Sequence, residues 1–277
     1  MNHLYEEYLD QPWEVSLETQ ALCNAACEFC PYPTIERKGV KMPDALIGRL
    51  VDEMAEWRVP FFFSPFKLNE PLLDKRLAPL LRRMNIDVPR AVLRVFTNGS
   101  PLTQKILEEL SEIRQVAHLW ISLNSHIPEE YERIMRLPFD RTARKLDMLH
   151  ESGFPHPVVV SAVGYPNQPF VDYCRQRWPK FQALAFKRDA WIDFTHADTE
   201  EVPDTACGRW FELSIMADGK VSHCCMHDGK DPRYNIGDVT EQTLLEVYNS
   251  AFWRERRVEK LTRKQLDDRS PCSRCTY

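Results

Sequence analysis

Six short apolar runs between residues 13 and 187 are separated by five stretches whose apolar residues repeat at helical spacing. The runs are WEVSLE (13–18), VPFFFSPF (59–66), AVLRVF (91–96), HLWISL (118–123), PVVVSAVG (157–164) and FQALAFK (181–187). Between them lie PDALIGRLVDEMAEW (43–57), LLDKRLAPLLRRM (72–84), LTQKILEELSEI (102–113), a helical region from PEEYERIM (128–135) to about His150, and FVDYCRQRW (170–178). In the first helix Ile47, Leu50, Val51 and Met54 form one apolar face, and Pro43 suits its start. Strands that alternate with helices imply βαβ units and a mostly parallel sheet. Six units fall short of a closed eight-fold barrel, so the pattern predicts an α/β fold with an open, partial (β/α)6 barrel. Chemistry in such folds gathers where the strands end. The polar groups there are Cys23 to Cys30, Asn69–Glu70, Thr97–Asn98, Ser122–Asn124, Tyr165 and Lys187–Arg188–Asp189, all predicted to share one rim.

The alternation stops near residue 195. Five of the nine cysteines then fall within residues 204–277. This shift predicts a core over residues 1–200 and a small second module over 201–277. A net charge of -5 gives no footprint for duplex nucleic acid. The acidic start MNHLYEEYLDQPW has no apolar core of a signal peptide, and no run approaches the ~20 apolar residues of a membrane span. The expected compartment is the cytoplasm, where thiols stay reduced and nine cysteines point to metal or redox chemistry.

Three of those thiols, Cys23, Cys27 and Cys30, sit within CNAACEFC. Zinc held there needs a fourth ligand, and the nearest histidine in sequence is His3. A [4Fe–4S] cluster takes one thiolate per iron, so three thiolates leave one iron open to a reactive ligand.

CxxxCxxC in the loop after a first strand, with Phe29 just before the last cysteine, resembles the radical S-adenosylmethionine (radical SAM) enzymes. The resemblance implies that SAM's amino and carboxylate groups chelate the open iron. It implies that one electron from the cluster breaks the C5′–S bond, and that the 5′-deoxyadenosyl radical takes hydrogen from a substrate. In KLNEPLL, Glu70 and Pro71 match the family's Gly-Gly-Glu-Pro segment, which takes SAM's amino group; Leu68 and Asn69 replace the glycines. Asn69 tolerates the left-handed backbone a glycine would supply. By the same resemblance Thr97 and Asn98 lie near SAM, Ser122 and Asn124 hold ribose hydroxyls, and Phe29 packs near adenine.

In the second module FELSIM and KVSHC read as a hairpin turning at Asp218–Gly219. The hairpin brings Cys207 near Cys224 or Cys225, and Cys272 and Cys275 complete a closed site of four thiolates. Zinc fits such a set as well as a cluster does. Gly219-x4-Cys224, IGDV and the terminal CxxC resemble the SPASM and twitch extensions of radical SAM enzymes, which hold auxiliary [4Fe–4S] clusters. The ligands implied are Cys207, Cys224, Cys272 and Cys275, with Cys225 as the alternative to Cys224. Cys174 reads as a core thiol. The cofactors expected are therefore two [4Fe–4S] clusters and SAM, with an external electron donor of flavodoxin or ferredoxin type. The first strand opens near residue 13 with no peptide-recognition domain before it, which predicts a small polar substrate of sugar or cyclitol type, oxidised as an electron passes to the auxiliary cluster. Peptide or protein modification is one alternative, and a non-catalytic zinc or electron-transfer protein another. The sequence names no catalytic base.

Overall fold

The computed structural model describes residues 2–164, 167–191, 194–199 and 201–277; Tyr165 lies outside them. All six expected strands form: β1 (Glu14–Leu17), β2 (Phe61–Ser64), β3 (Ala91–Thr97), β4 (Val116–Ser122), β5 (Val158–Val163) and β6 (Gln182–Phe186). Each pairs in parallel with the strand before it in sequence, so the sheet winds in one direction only. Such winding puts every helix on one side, as in a barrel, and leaves this one open. In β3, buried Ala91, Leu93, Val95 and Thr97 alternate with half-buried Val92, Arg94 and Phe96. Only one face of that strand packs against helices, and the other faces the barrel.

The helices are α1 (Asn2–Glu7), α2 (Asp44–Ala55), α3 (Leu77–Asp87), α4 (Gln104–Ser111), α5 (Pro128–Met135), α6 (Phe139–Glu151), α7 (Gln168–Arg177), α8 (Leu244–Tyr248) and α9 (Ala251–Val258). Two sequence expectations change. The helix expected from residue 72 starts at Leu77, because the Asp74 carboxylate binds Arg76 and Thr19 and holds residues 74–76 outside it. The region 128–150 breaks into two helices, where Arg136 takes left-handed backbone (φ 57°) and Pro138 follows. Thr103 caps α4 through Ile106 N, and Asn167 caps α7 through Phe170 N.

The second module continues the same sheet. Strand β7 (Glu212–Ile215) pairs in parallel with β1, then β8 (Lys220–Ser222) and β9 (Asn235–Asp238) follow antiparallel, giving the order β6-β5-β4-β3-β2-β1-β7-β8-β9. Strand β1 is therefore central, and all four of its residues are buried. The β7–β8 turn depends on Gly219: its φ is +87°, and a Cβ there would meet Thr240 at 2.6 Å.

Candidate active site and auxiliary centre

The loop after β1 folds over the strand ends. Its backbone docks on the end of α5, through Ala26 N to Met135 O (3.3 Å) and Glu28 N to Ile134 O (3.0 Å). Asn24 ties it to the end of β3: its amide donates to Ser100 Oγ at 2.7 Å and accepts from Asn98 Nδ2 at 2.9 Å. Cys23, Cys27 and Cys30 thereby line one cavity of about 280 Å³. The same cavity is lined by Phe29, Asn69, Glu70, Thr97, Asn98, Ser122 and Asn124, every cofactor-contact residue expected from the sequence. Lys187, Arg188 and Asp189 reach it from the end of β6.

The three thiols are hard to ionise where they stand. Burial pushes Cys23 up to about 12 and Cys30 to about 11, and Cys27 higher still. Thiolates on Cys23 and Cys30 would add to the cost at Cys27. A donor set of this kind fits a cationic centre that neutralises all three sulfurs at once.

Glu70 is buried at the end of β2 and accepts from Asn98 N (2.7 Å), Thr97 Oγ1 (2.8 Å) and Leu72 N (3.1 Å). Desolvation outweighs these bonds and lifts its carboxyl to about 7. Asn69 spends its amide locally, on Lys67 N (2.9 Å) and Pro65 O (3.4 Å). Among the described residues, Asn69 is not one with positive φ; the left-handed approach allowed for it is absent. Asn124 (φ 66°) and Trp191 (φ 48°) are left-handed among the residues lining this cavity, and Asn124 joins β5 to α5 through Val163 N (3.1 Å) and Met135 Sδ (3.0 Å). Phe29 packs on the core, and the Arg188 guanidinium lies 6.0 Å from its ring.

Several lining residues were not anticipated. Phe66 and Phe96 begin a row of rings that continues through Trp120 to Phe186, with centroids 5.4, 5.6 and 5.6 Å apart. Lys67 is fully buried and crosses to the second module, donating to Ser222 Oγ (2.8 Å), Ser214 Oγ (3.0 Å) and Cys224 O (3.3 Å). Burial brings its ammonium down to about 8. The one early signal was a lysine closing the apolar run VPFFFSPF.

Cys207, Cys224, Cys272 and Cys275 line a second, smaller cavity, together with Arg209, Trp210, His223 and Arg263. Burial raises Cys207 to about 12 and Cys224 well above the usual thiol range. Cys225 is not among the residues lining this cavity; burial raises it to about 11, and the charges bearing on it are those of Arg209, Glu212, Lys67 and Glu14. Four thiols around one cavity fit a four-thiolate centre. Among the described residues no three Cys, His, Asp or Glu groups already converge on a single-ion site. Zinc would require its thiolates within about 3.8 Å of one another. Met226, 8% exposed, lines both this cavity and the larger one. Cys174 is buried in α7, as expected of a core thiol.

Residues 17–173 match the radical SAM superfamily, and residues 207–276 match the SPASM iron–sulfur cluster-binding domain. The chain belongs to the radical SAM superfamily. A radical SAM domain binds SAM and a [4Fe–4S] cluster, and a SPASM domain binds further iron–sulfur clusters. A 104-residue stretch is 32% identical to the S-adenosyl-L-methionine-dependent 2-deoxy-scyllo-inosamine dehydrogenase of Niallia circulans; it covers 36% of this chain and only 40% of that relative. The fold is similar to that of BtrN crystallised with AdoMet and 2-DOIA (TM-score 0.67, 17% identity, 96% of this chain and 93% of that one). It is also similar to Streptococcus suis SuiB bound to its precursor peptide SuiA (TM-score 0.68, 15% identity, 99% and 72%), and to anSMEcpe with bound AdoMet (0.64, 14%, 90% and 82%). These likenesses establish the partial barrel with its SPASM-type module. No helix among the described residues is long and apolar enough to cross a membrane.

Proposed function

We propose that this radical SAM enzyme is an oxidoreductase that dehydrogenates a small polar substrate of sugar or cyclitol type and passes an electron to one auxiliary [4Fe–4S] cluster. Met226 carries the reading: it lines both the SAM-side cavity and the four-thiol cavity, a neighbourhood that suits electron transfer between them. The stretch shared with a cyclitol dehydrogenase supports the substrate class. So do the half-buried rings of Phe66 and Phe96, which line the cavity beside the polar ends of β4 and β6, a surface suited to a polyhydroxylated ring.

Cys23, Cys27 and Cys30 would hold the SAM-binding cluster, and Cys207, Cys224, Cys272 and Cys275 the auxiliary one. The bound groups would supply one-electron cleavage of SAM, hydrogen abstraction from the substrate carbon and an acceptor for the second electron. Glu70, held by Thr97 and Asn98, would accept from SAM's amino group, and Asn69, Ser122, Asn124 and Phe29 would shape the rest of its berth. Loss of the hydroxyl proton completes the carbonyl, and Lys187, Arg188 and Asp189 are the titratable groups on that side. The domain division at residue 200, a flavodoxin- or ferredoxin-type donor and a cytoplasmic setting belong to the same proposal.

Peptide modification is the second reading, and the likeness to SuiB with SuiA bound favours it. The deciding experiment is anaerobic reconstitution followed by reaction with SAM, dithionite and either 2-deoxy-scyllo-inosamine and related cyclitols or a peptide panel. About eight irons per chain, 5′-deoxyadenosine and an oxidised cyclitol support the proposal. A modified peptide with no cyclitol turnover rejects it for the second reading. Colourless zinc protein rejects both.

A further inference from the structure

Arg256 is 6% exposed on α9, beneath the terminal CxxC. Its guanidinium carbon lies 4.5 Å from the centre of the Trp253 ring and 5.7 Å from that of Trp210. Nη1 donates to Cys272 Sγ at 3.6 Å, and Nη2 donates to Ser270 Oγ at 3.2 Å. The rings and the serine hold the fork against the sulfur. An arginine keeps its charge in such a dry place, where a lysine can lose it. Arg263, 5% exposed, lines the same four-thiol cavity and favours thiolate at Cys207.

A cluster's potential responds to these surroundings, because reduction adds one negative charge to the centre. A nearby cation or a hydrogen bond to a ligating sulfur stabilises the reduced form, and a nearby carboxylate opposes it.

We propose that Arg256 raises the one-electron reduction potential of the auxiliary centre. Its fixed charge and its bond to Cys272 Sγ stabilise the reduced form of that centre. The inference rests on the reading that Cys207, Cys224, Cys272 and Cys275 hold the auxiliary cluster. Arg256 acts through the cluster and is a positioning residue.

The test uses full-length protein in which Cys23, Cys27 and Cys30 are alanine, so that only the auxiliary centre assembles. Iron is counted, and the reduced-cluster signal is followed by electron paramagnetic resonance during a potentiometric titration. About four irons per chain are expected. Adding Arg256→Gln should lower the potential by at least a tenfold shift in the reduced-to-oxidised ratio, about 59 mV for one electron. Arg256→Lys should lose less. Iron retained with an unmoved potential in Arg256→Gln overturns the proposal and leaves the ligand assignment standing. No iron in the parent overturns the ligand assignment, and the inference with it. Should Arg256→Gln shed its iron, Arg256→Lys decides: when loaded it must show a lower potential than the parent, and an equal or higher one overturns the proposal.

Discussion

The Glu70 carboxylate accepts a 2.8 Å hydrogen bond from Thr97 Oγ1, joining the segment after β2 to the end of β3 in the wall of the larger cavity. Without ligand, burial holds this acid near 7. An amino group that donates to it favours the charged carboxylate, so binding and deprotonation are linked. SAM affinity is expected to rise as pH goes from about 6 to about 8. The sign for the apo protein is opposite. A carboxyl raised on folding contributes stability that is full below its unfolded value and lost as pH climbs through about 7. Equilibrium dialysis of SAM against wild type and Glu70→Gln checks this. The variant should bind more weakly and lose the pH slope; a slope that persists refutes the assignment.

The two thiol sets should separate by kind of failure. Cys27→Ala is expected to abolish SAM cleavage and keep about four irons. Cys272→Ala should still release some 5′-deoxyadenosine but make no oxidised product. Chromatographic quantitation of both species decides. Normal turnover by Cys272→Ala would remove the electron-acceptor role of the second centre.

Glu18 is fully buried and pairs with Arg37 at 2.7 Å, while its Oε2 also accepts from Ala217 N at 3.1 Å. One carboxylate thus links the cysteine loop, through Arg37, to the turn after β7. Removing only the cation leaves a buried charge unpaired, at a cost of about 3–5 kcal/mol. Arg37→Ala should lower the urea midpoint of the apo protein accordingly. A midpoint equal to that of wild type would mean that solvent reaches Glu18.

Much of the barrel was legible because each strand carries its own local signature. The alternation in AVLRVFT survives as one buried and one half-buried face of β3. The junction of the two modules left no such trace, since Glu14–Leu17 pairs with Glu212–Ile215 from the far end of the chain. IGDV went unassigned as a strand because Gly237 and Asp238 have poor β-propensity, and pairing with β8 holds them. The cysteines and Glu70 declared themselves by type and spacing. Lys67 and Met226 did not, because their roles come from tertiary burial between two modules.

Met226 offers the sharpest check on the link between the centres. Truncating a buried methionine to alanine costs about 2–5 kcal/mol and opens a void where two cavities meet. The four cavity-lining thiols of the second module remain, so Met226→Ala should still assemble both clusters and cleave SAM. The longer, emptier gap should slow electron transfer to the auxiliary centre, lowering oxidised product per 5′-deoxyadenosine released. Met226→Leu, close in volume, should change that ratio less. Both ratios come from one assay, with iron counts to confirm loading. If Met226→Ala, fully loaded, couples cleavage to product as tightly as wild type, the electron leaves by another path.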